Sequence, residues 1–221
     1  MIEITKNKKN YIIKSDCYSL NINNSGTIRR LFFNGINTGL KREGCEYWKE
    51  DGLHFQQEFG GILQFEQKRN RIEVTATLKS AKNKRGGKCI TKYNFKKDSI
   101  VIESEISPAC AMFSYDKYVC FNPKEYTYYS FNGKDFNEID KDRFVDADTK
   151  SITLSTGDKA IVINCLSGIS EMRVYKTKSM IEIKPNWIDP IMKIEYKVYG
   201  LPKKEITVDE LPATRKEIIS D

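Results

Sequence analysis

The sequence predicts an all-β protein, a large antiparallel β-sandwich of two sheets with little helix. The clearest pattern lies in residues 71–106, where apolar side chains occupy every second position of the first strand: Ile72, Val74, Ala76 and Leu78. A period of two places alternate side chains on opposite faces of a strand. Two more strands follow in the same stretch, and the apolar face of such a meander needs a second sheet to cover it. Short strands separated by turns continue along the chain, which is typical of a sandwich.

Two hairpins are predicted in the first forty residues. Residues 18–22 alternate as a strand, and the Asn23-Asn24-Ser25-Gly26 stretch follows as a turn, because Asn and Gly tolerate the positive φ of tight hairpins. The chain returns as a strand over residues 27–33 and turns again at Asn34-Gly35. This beginning is entirely β.

The alternation fails over residues 37–52, which predicts a long loop that contains Trp48. Loops carried by rigid sheets often hold binding residues. Strands are predicted again over residues 53–59 and 62–68. The Gly60-Gly61 pair between them permits a bend.

The second half of the chain continues the same organisation. Residues 122–150 are rich in aromatic and turn-forming residues and include Tyr126 and Tyr128. Short strands are then predicted over residues 151–156, 159–165, 171–177, 180–184 and 191–199. Only residues 208–221 have helical character. No internal repeat or low-complexity linker is present, so the simplest organisation is a single domain over residues 1–221.

Composition excludes several classes of protein. Hydrophobic residues make up 39% of the 221, and no run of eighteen apolar residues occurs, so no membrane span is expected. The six cysteines form no C-x-x-C pair and are expected to be unpaired. With no signal peptide visible at the polar N-terminus, this pattern favours a cytoplasmic location. A secreted protein whose leader had been removed would have the same sequence.

The chain is basic, with 37 Lys and Arg against 30 Asp and Glu, a net charge of +7. A solvated surface accounts for this excess. The alternative is attraction to an anionic partner such as nucleic acid or an acidic polysaccharide.

Three stretches of the sequence resemble the galactose-mutarotase-like β-supersandwich proteins. These are the opening hairpin at residues 18–35, the meander at 93–102 and the closing strands around 183–198. The resemblance implies a sugar held on the concave face of a sheet. Epimerases of that family use two histidines and a glutamate, whereas this chain has only His54. A standard mutarotase is therefore not expected.

Polar residues alternate in the predicted strand at residues 53–59, which puts His54, Gln56 and Glu58 on one face. That row could present an imidazole, an amide and a carboxylate to sugar hydroxyls. His54 or Glu58 would then be the catalytic base. An ordinary polar outer face is the alternative.

Aromatic and basic residues outside the predicted strands supply the other candidate ligand contacts. Trp48, Tyr126 and Tyr128 could stack on pyranose rings, although the tyrosines could equally pack against the core. Arg85 lies in a basic hairpin tip that could bind carboxylates, sulfates or phosphates. No metal-ligand spacing and no nucleotide fingerprint occurs, so neither a metal nor a cofactor is expected.

Three functions are compatible with these patterns. The first is a carbohydrate-binding protein that recognises a neutral or an acidic sugar or polysaccharide. The second is a sugar-active enzyme, epimerase- or lyase-like, that uses His54, Glu58 or a loop tyrosine. The third is a basic β protein that binds nucleic acid or another macromolecule.

Overall fold

The structure is a computed structural model of the chain. It describes residues 2–7, 10–96, 99–110, 114–131, 134–139, 144–146, 149–156, 159–167, 171–187 and 191–200, without the side chains of 144–146 and 196–200. Within these ranges there is no α-helix, and a single 3-10 turn spans Gln57–Phe59. The helical stretch predicted over residues 208–221 lies outside the described residues.

The first sheet contains five antiparallel strands in chain order: β1 (Glu3–Asn7), β2 (Asn10–Lys14), β3 (Tyr18–Ile22), β4 (Ile28–Phe33) and β5 (Ile36–Asn37). The turn between β3 and β4 is closed by the Asn23 side chain, whose Oδ1 accepts hydrogen bonds from the backbone N–H groups of Ser25 and Thr27, both at 3.0 Å. Gly26 takes a φ of +80° in this turn. The predicted opening hairpin therefore forms for the predicted reason.

The second sheet contains fifteen strands. They are β6 (Leu40–Trp48), β7 (His54–Gln56), β8 (Ile62–Lys68), β9 (Arg71–Lys79), β10 (Arg85–Phe95), β11 (Ser99–Pro108), β12 (Ser114–Phe121), β13 (Tyr128–Ser130), β14 (Asn137–Glu138), β15 (Phe144–Asp146), β16 (Ser151–Thr156), β17 (Lys159–Cys165), β18 (Glu171–Lys176), β19 (Ile181–Trp187) and β20 (Ile191–Gly200). The spatial order is β14-β13-β16-β17-β20-β11-β10-β9-β7-β6-β12-β19-β18-β15, and β8 pairs with β9 beside this path.

The predicted fold class is confirmed, since two antiparallel sheets form a sandwich-like fold. The predicted meander is β9, β10 and β11, and β9 alternates between half-buried and buried residues along its whole length. One cluster of buried apolar side chains includes residues of both sheets, among them Leu20 and Val119. The assignment of residues 1–221 to one domain stays a prediction.

The long loop predicted over residues 37–52 is wrong for most of its length, because β6 occupies nine of these positions. The alternation fails there because β6 buries acidic side chains, Glu43 and Glu46, on its two faces. The strand predicted over residues 53–59 is also shorter than expected. It ends at Gln56, and the 3-10 turn follows.

Glu43 lies on the core side of β6 and makes a fully buried ion pair. Its Oε2 lies 3.1 Å from the ammonium of Lys117 on β12. Its Oε1 accepts hydrogen bonds from the Tyr93 hydroxyl at 2.9 Å and from the backbone N–H of Ile28 at 3.3 Å. The carboxylate therefore joins β6, β10 and β12 of the large sheet to β4 of the small one.

All six cysteines have free thiols, and four of them are buried. No helix among the described residues is long and apolar enough to cross a membrane.

We expect Lys117→Met to destabilise the fold by about 3–5 kcal/mol, because it leaves the buried Glu43 carboxylate without its counter-ion. Urea unfolding at neutral pH measures this loss. The matched control is Lys92→Met, which removes a half-exposed pair with Glu103 at 3.0 Å and should cost no more than about 1 kcal/mol. Equal, small losses in the two variants would show that the buried pair contributes no more to stability than the partly exposed one.

Candidate functional site

A row of polar residues crosses five neighbouring strands of the large sheet. Strand pairing sets the members directly opposite one another in the order Gln56, Glu46, Asp116, Asn186 and Glu171, on β7, β6, β12, β19 and β18. Directly opposed residues in a sheet point to the same face. The intervening positions, such as Tyr47 and Tyr115, belong to the core. The row therefore lies on the face turned away from the core, and we call it the polar row.

A second, shorter row runs beside it, with His54, Trp48 and Ser114 opposed on β7, β6 and β12. The indole of Trp48 stacks on the imidazole of His54, with ring centroids 3.9 Å apart and the planes 6° from parallel. Both side chains are partly exposed. The indole thus forms a flat aromatic surface next to the polar row, with one face covered by the imidazole and the ammonium of Lys184 5.9 Å from its centroid.

Glu46 contacts three polar side chains, although its carboxylate is fully buried. One oxygen, Oε2, lies 2.8 Å from His54 Nε2 and 2.6 Å from Gln56 Nε2, and the other forms an ion pair with Lys184. Burial alone would raise the pKa of Glu46, but the hydrogen bond from His54 and the charge of Lys184 lower it to about 2. An ionised carboxylate only accepts hydrogen bonds, so Nε2 of His54 carries a proton.

The surroundings of Asp116 shift its pKa in the opposite direction to that of Glu46. Its carboxyl is almost completely buried and accepts a hydrogen bond from Asn186 Nδ2 at 2.5 Å. Burial, followed by the negative charge of Glu46, raises the pKa of Asp116 to about 6. Two carboxyl groups at facing positions thus differ strongly in proton affinity.

An open cavity of about 570 Å³ lies on this face beside Trp48 and Asp116. Its lining consists of Trp48, Lys49, Ser114, Asp116, Glu171, Arg173 and Asn186. The guanidinium of Arg173 pairs with Glu171 at the β18 side. One wall is aromatic, and the rest offers carboxyl, amide, hydroxyl and cationic groups. No group of three or more His, Cys, Asp or Glu side chains suited to a metal ion occurs within the described residues.

The structure brings three of the predicted site residues together, since Trp48, His54 and Gln56 all lie on this face. Glu58 does not continue the strand with them. It lies in the 3-10 turn, where its carboxylate binds Arg29 at 2.7 Å and Arg42 at 2.5 Å, a bridge between the two sheets.

The other predicted ligand contacts lie elsewhere. Tyr126 is 2% exposed, and its hydroxyl donates to the carbonyl of Thr38 at 2.8 Å, which is a packing role. Tyr128 lies on β13, far from β6 in the strand order. Arg85 lines a different cavity.

Sequence reasoning missed Glu46 on β6 and the residues that come from the later strands: Asp116, Arg173, Lys184 and Asn186. The available hint was a charged residue inside an otherwise apolar strand, as with Asp116 in the segment that becomes β12. Which of these charges share a face depends on the register between distant strands, and that register is not readable from local patterns.

Comparison with known proteins finds no matching family model and no matching curated protein. Several solved structures are similar in fold. The Slr1438 protein from Synechocystis sp. PCC 6803 aligns with 91% of this chain and 100% of its own, with a TM-score of 0.58 and 10% identity. A TPR-domain containing protein from Parabacteroides distasonis aligns with 92% of this chain, with a TM-score of 0.59 and 8% identity, and this chain spans 51% of it.

A GH36 α-galactosidase, AgaB from Geobacillus stearothermophilus, also matches. It aligns with 90% of this chain, with a TM-score of 0.52 and 9% identity, and this chain spans 41% of the enzyme. The likeness is one of fold. A carbohydrate-active enzyme is thus among the proteins that share this sandwich, at low identity.

We expect Asp116→Asn to change how stability depends on pH. With its pKa raised to about 6 from 3.8, folded Asp116 keeps a proton that the unfolded chain releases, so stability falls as pH rises from about 4 to 6. The variant should lose this decline and be more stable than the wild type at pH 7, by up to about 3 kcal/mol. Urea unfolding at a series of pH values measures the difference.

Glu46→Gln should change the pH dependence of stability in the opposite direction. Because the folded pKa is lowered to about 2 from 4.5, the stability contributed by Glu46 is present above pH 4.5 and is lost as pH falls towards 2. An Asp116→Asn profile parallel to that of the wild type between pH 4 and 6 would contradict the assignment of Asp116.

Proposed function

We propose that this protein binds a carbohydrate in the cavity beside Trp48, on the sheet face that carries the polar row. The observation that supports this most strongly is the Trp48–His54 stack at the edge of a cavity rimmed by hydrogen-bonding side chains. A sugar ring has one largely apolar face and a periphery of hydroxyl groups. A flat aromatic surface next to convergent polar groups matches both features.

The groups around the cavity suit sugar hydroxyls because they include both donors and acceptors. Asp116 and Glu171 accept hydrogen bonds, Arg173 donates them, and Asn186 can do both. The cavity is lined by both acidic and basic side chains. A neutral sugar can therefore bind without bringing a charge that the cavity would have to neutralise. An acidic ligand, which the positive net charge of the chain would favour, gains no special support in this cavity.

The aromatic surface is held in place before any ligand binds. His54 on the neighbouring strand covers one face of the Trp48 ring, and Glu46 holds His54 through a 2.8 Å hydrogen bond. Gln56 and Lys184 fix Glu46 in turn. A preorganised contact loses little conformational entropy on binding, which favours affinity for a small ligand.

Fold-level similarity agrees with this proposal. Residues 18–35 and 93–102 resemble galactose-mutarotase-like proteins, in which a sugar lies on the concave face of a sheet, and a GH36 α-galactosidase shares the fold at 9% identity. We assign the polar face of β6, β7, β12, β18 and β19 to that role.

A glycan array followed by calorimetry with the best monosaccharide or oligosaccharide tests the proposal. We expect Trp48→Ala to weaken binding at least about tenfold, because stacking on the indole provides more than about 1.4 kcal/mol. The matched control is Tyr128→Ala, an aromatic residue on the distant strand β13, which should leave the affinity unchanged. Absence of binding to every glycan, or equal losses in both variants, would refute the site.

A sugar-active enzyme is the second candidate, favoured by the separation of the Glu46 and Asp116 pKa values to about 2 and about 6. Facing carboxyl groups with separated proton affinities are typical of acid–base sites. Asp116 would exchange a proton with the sugar near neutral pH. Glu58 is less suited to the role first predicted for it, because Arg29 and Arg42 engage its carboxylate.

Proton NMR of the bound sugar tests turnover directly, through anomer exchange or an elimination product. We expect Asp116→Asn to abolish turnover while binding persists, and the wild-type rate to change with pH around 6. A rate that is the same in Asp116→Asn would rule out this role and leave the binding proposal intact.

A further inference from the structure

A second cavity, of about 670 Å³, lies at the β8, β9 and β10 region of the large sheet. Its apolar part includes Ile62 and Leu63, and its charged part consists of Lys79, Arg85 and Lys88. Glycine backbone from residues 60, 61 and 87 completes much of the lining. We call this cavity the basic groove. It shares no lining residue with the cavity beside Trp48.

A β-bulge brings the three cations to one side of the groove. Arg85 pairs with Lys79 and Lys88 pairs with Thr77. Between these two pairs β10 has two residues, whereas β9 has one. Lys79 and Thr77 are two residues apart and share a face. Their partners must share that face as well, whereas in a regular strand Arg85 and Lys88 would point to opposite faces.

The charge of this region is unbalanced. Residues 79–88 contain five basic side chains and no acidic one: Lys79, Lys82, Lys84, Arg85 and Lys88. Within the described part of the chain, neither Arg85 nor Lys88 has an ion-pair partner, and the ammonium of Lys79 donates to Asn83 Oδ1 at 2.9 Å. The groove therefore offers two unpaired cations to a ligand.

The apolar part is unusually exposed for this protein. Leu63 is 55% accessible, and it is one of four large exposed apolar residues among those described. Leu78 is fully buried, and its side chain belongs to the core, on the face of β9 opposite to Thr77 and Lys79. An exposed apolar surface beside unpaired cations favours a ligand with both an apolar and an anionic part.

Close backbone contacts fix the walls of the groove. Gly61 N–H donates to Thr77 Oγ1 at 2.9 Å, and Thr77 N–H donates to the carbonyl of Gly61 at 3.0 Å. A side chain at Gly60 would collide with the Thr77 carbonyl, which would lie 1.7 Å from its Cβ. Gly87 has a φ of +99°, and a Cβ there would lie 2.2 Å from the carbonyl oxygen of Ser107. The groove is therefore formed before a ligand arrives.

We propose that the basic groove binds an anionic amphiphile. The apolar chain of the ligand lies along Ile62 and Leu63, and its carboxylate or phosphate head group binds Arg85 and Lys88. Such charge-assisted hydrogen bonds are strong and directional, above all from a guanidinium. A simple polyanion would use the cations and leave the exposed leucine without a role.

Calorimetry with monomeric decanoate and decyl phosphate tests the proposal, with decanol as the uncharged probe. We expect saturable binding of both anions at one site, and weaker binding of decanol. Arg85→Gln with Lys88→Gln should reduce the affinity for the anions about tenfold or more, since it removes both head-group contacts. Lys82→Gln with Lys84→Gln is the matched control, because it removes the same charge from the same hairpin outside the groove lining.

A second pair of variants tests the apolar contact between the groove and the ligand chain. Leu63→Ser should weaken decanoate and decanol to the same extent, by several-fold, because part of the chain loses its apolar contact. Leu166→Ser is the control, since Leu166 is 48% exposed and lies outside the lining. Circular dichroism of each variant verifies that it is folded.

Vesicles distinguish a free amphiphile from a lipid surface as the source of the head group. Sedimentation with phosphatidylcholine vesicles, with and without phosphatidylglycerol, should show binding only to the anionic vesicles if the source is a membrane. Binding to either source that depends on Arg85 and Lys88 supports the proposal. No binding to either source, equal affinity for decanol, or equal losses in the two double variants would overturn it. So would tight binding of a single-stranded oligonucleotide that decanoate does not displace.

Discussion

The candidate sugar site depends on one buried carboxylate, that of Glu46. Burying an ionised group is costly unless hydrogen bonds and an opposite charge compensate for the lost water. Here His54 and Gln56 from β7 and Lys184 from β19 supply that compensation. Because these partners come from strands on both sides of β6, the carboxylate fixes the spacing of the whole polar face. It also positions the imidazole on which Trp48 stacks.

The same strand carries a second buried acid on its other face. Glu43 points into the core and pairs with Lys117, while Glu46, three residues later, points to the polar face. Residues three apart in a strand lie on opposite faces. β6 therefore connects the interior of the sandwich with its candidate binding surface through two carboxylates. This arrangement also explains why its sequence lacks the apolar alternation of an ordinary strand.

The sequence was sufficient to predict the parts of the fold that are set locally. The β9–β11 meander begins with a strand of regular apolar alternation. The turn at Asn23–Gly26 is set by its own residues, through the Asn23 side chain and the positive φ of Gly26. The strand β6 was missed because its core-facing glutamate has a partner seventy-four residues away in the chain. From the sequence alone, a charged residue of this kind is expected to be solvent-exposed, because its distant partner is not known.

The site was predictable only in part, for a related reason. Trp48, His54 and Gln56 lie close together in the chain, so a local pattern could group them. Asp116 and Lys184 join them through the pairing of β6 with β12 and of β12 with β19. The tyrosines near residue 128 were grouped with Trp48 by residue type alone, and strand order separates them.

The most direct test of the central idea is a nuclear magnetic resonance titration of the two indole N–H signals with the preferred sugar. Trp48 lies at the cavity, whereas Trp187 is buried and donates its indole N–H to Ser167 Oγ at 2.8 Å. The Trp48 signal should shift saturably in the wild type, and the Trp187 signal should stay in place. In Glu46→Gln the Trp48 shift should need a higher sugar concentration. A Trp48 signal that no sugar moves would contradict the account.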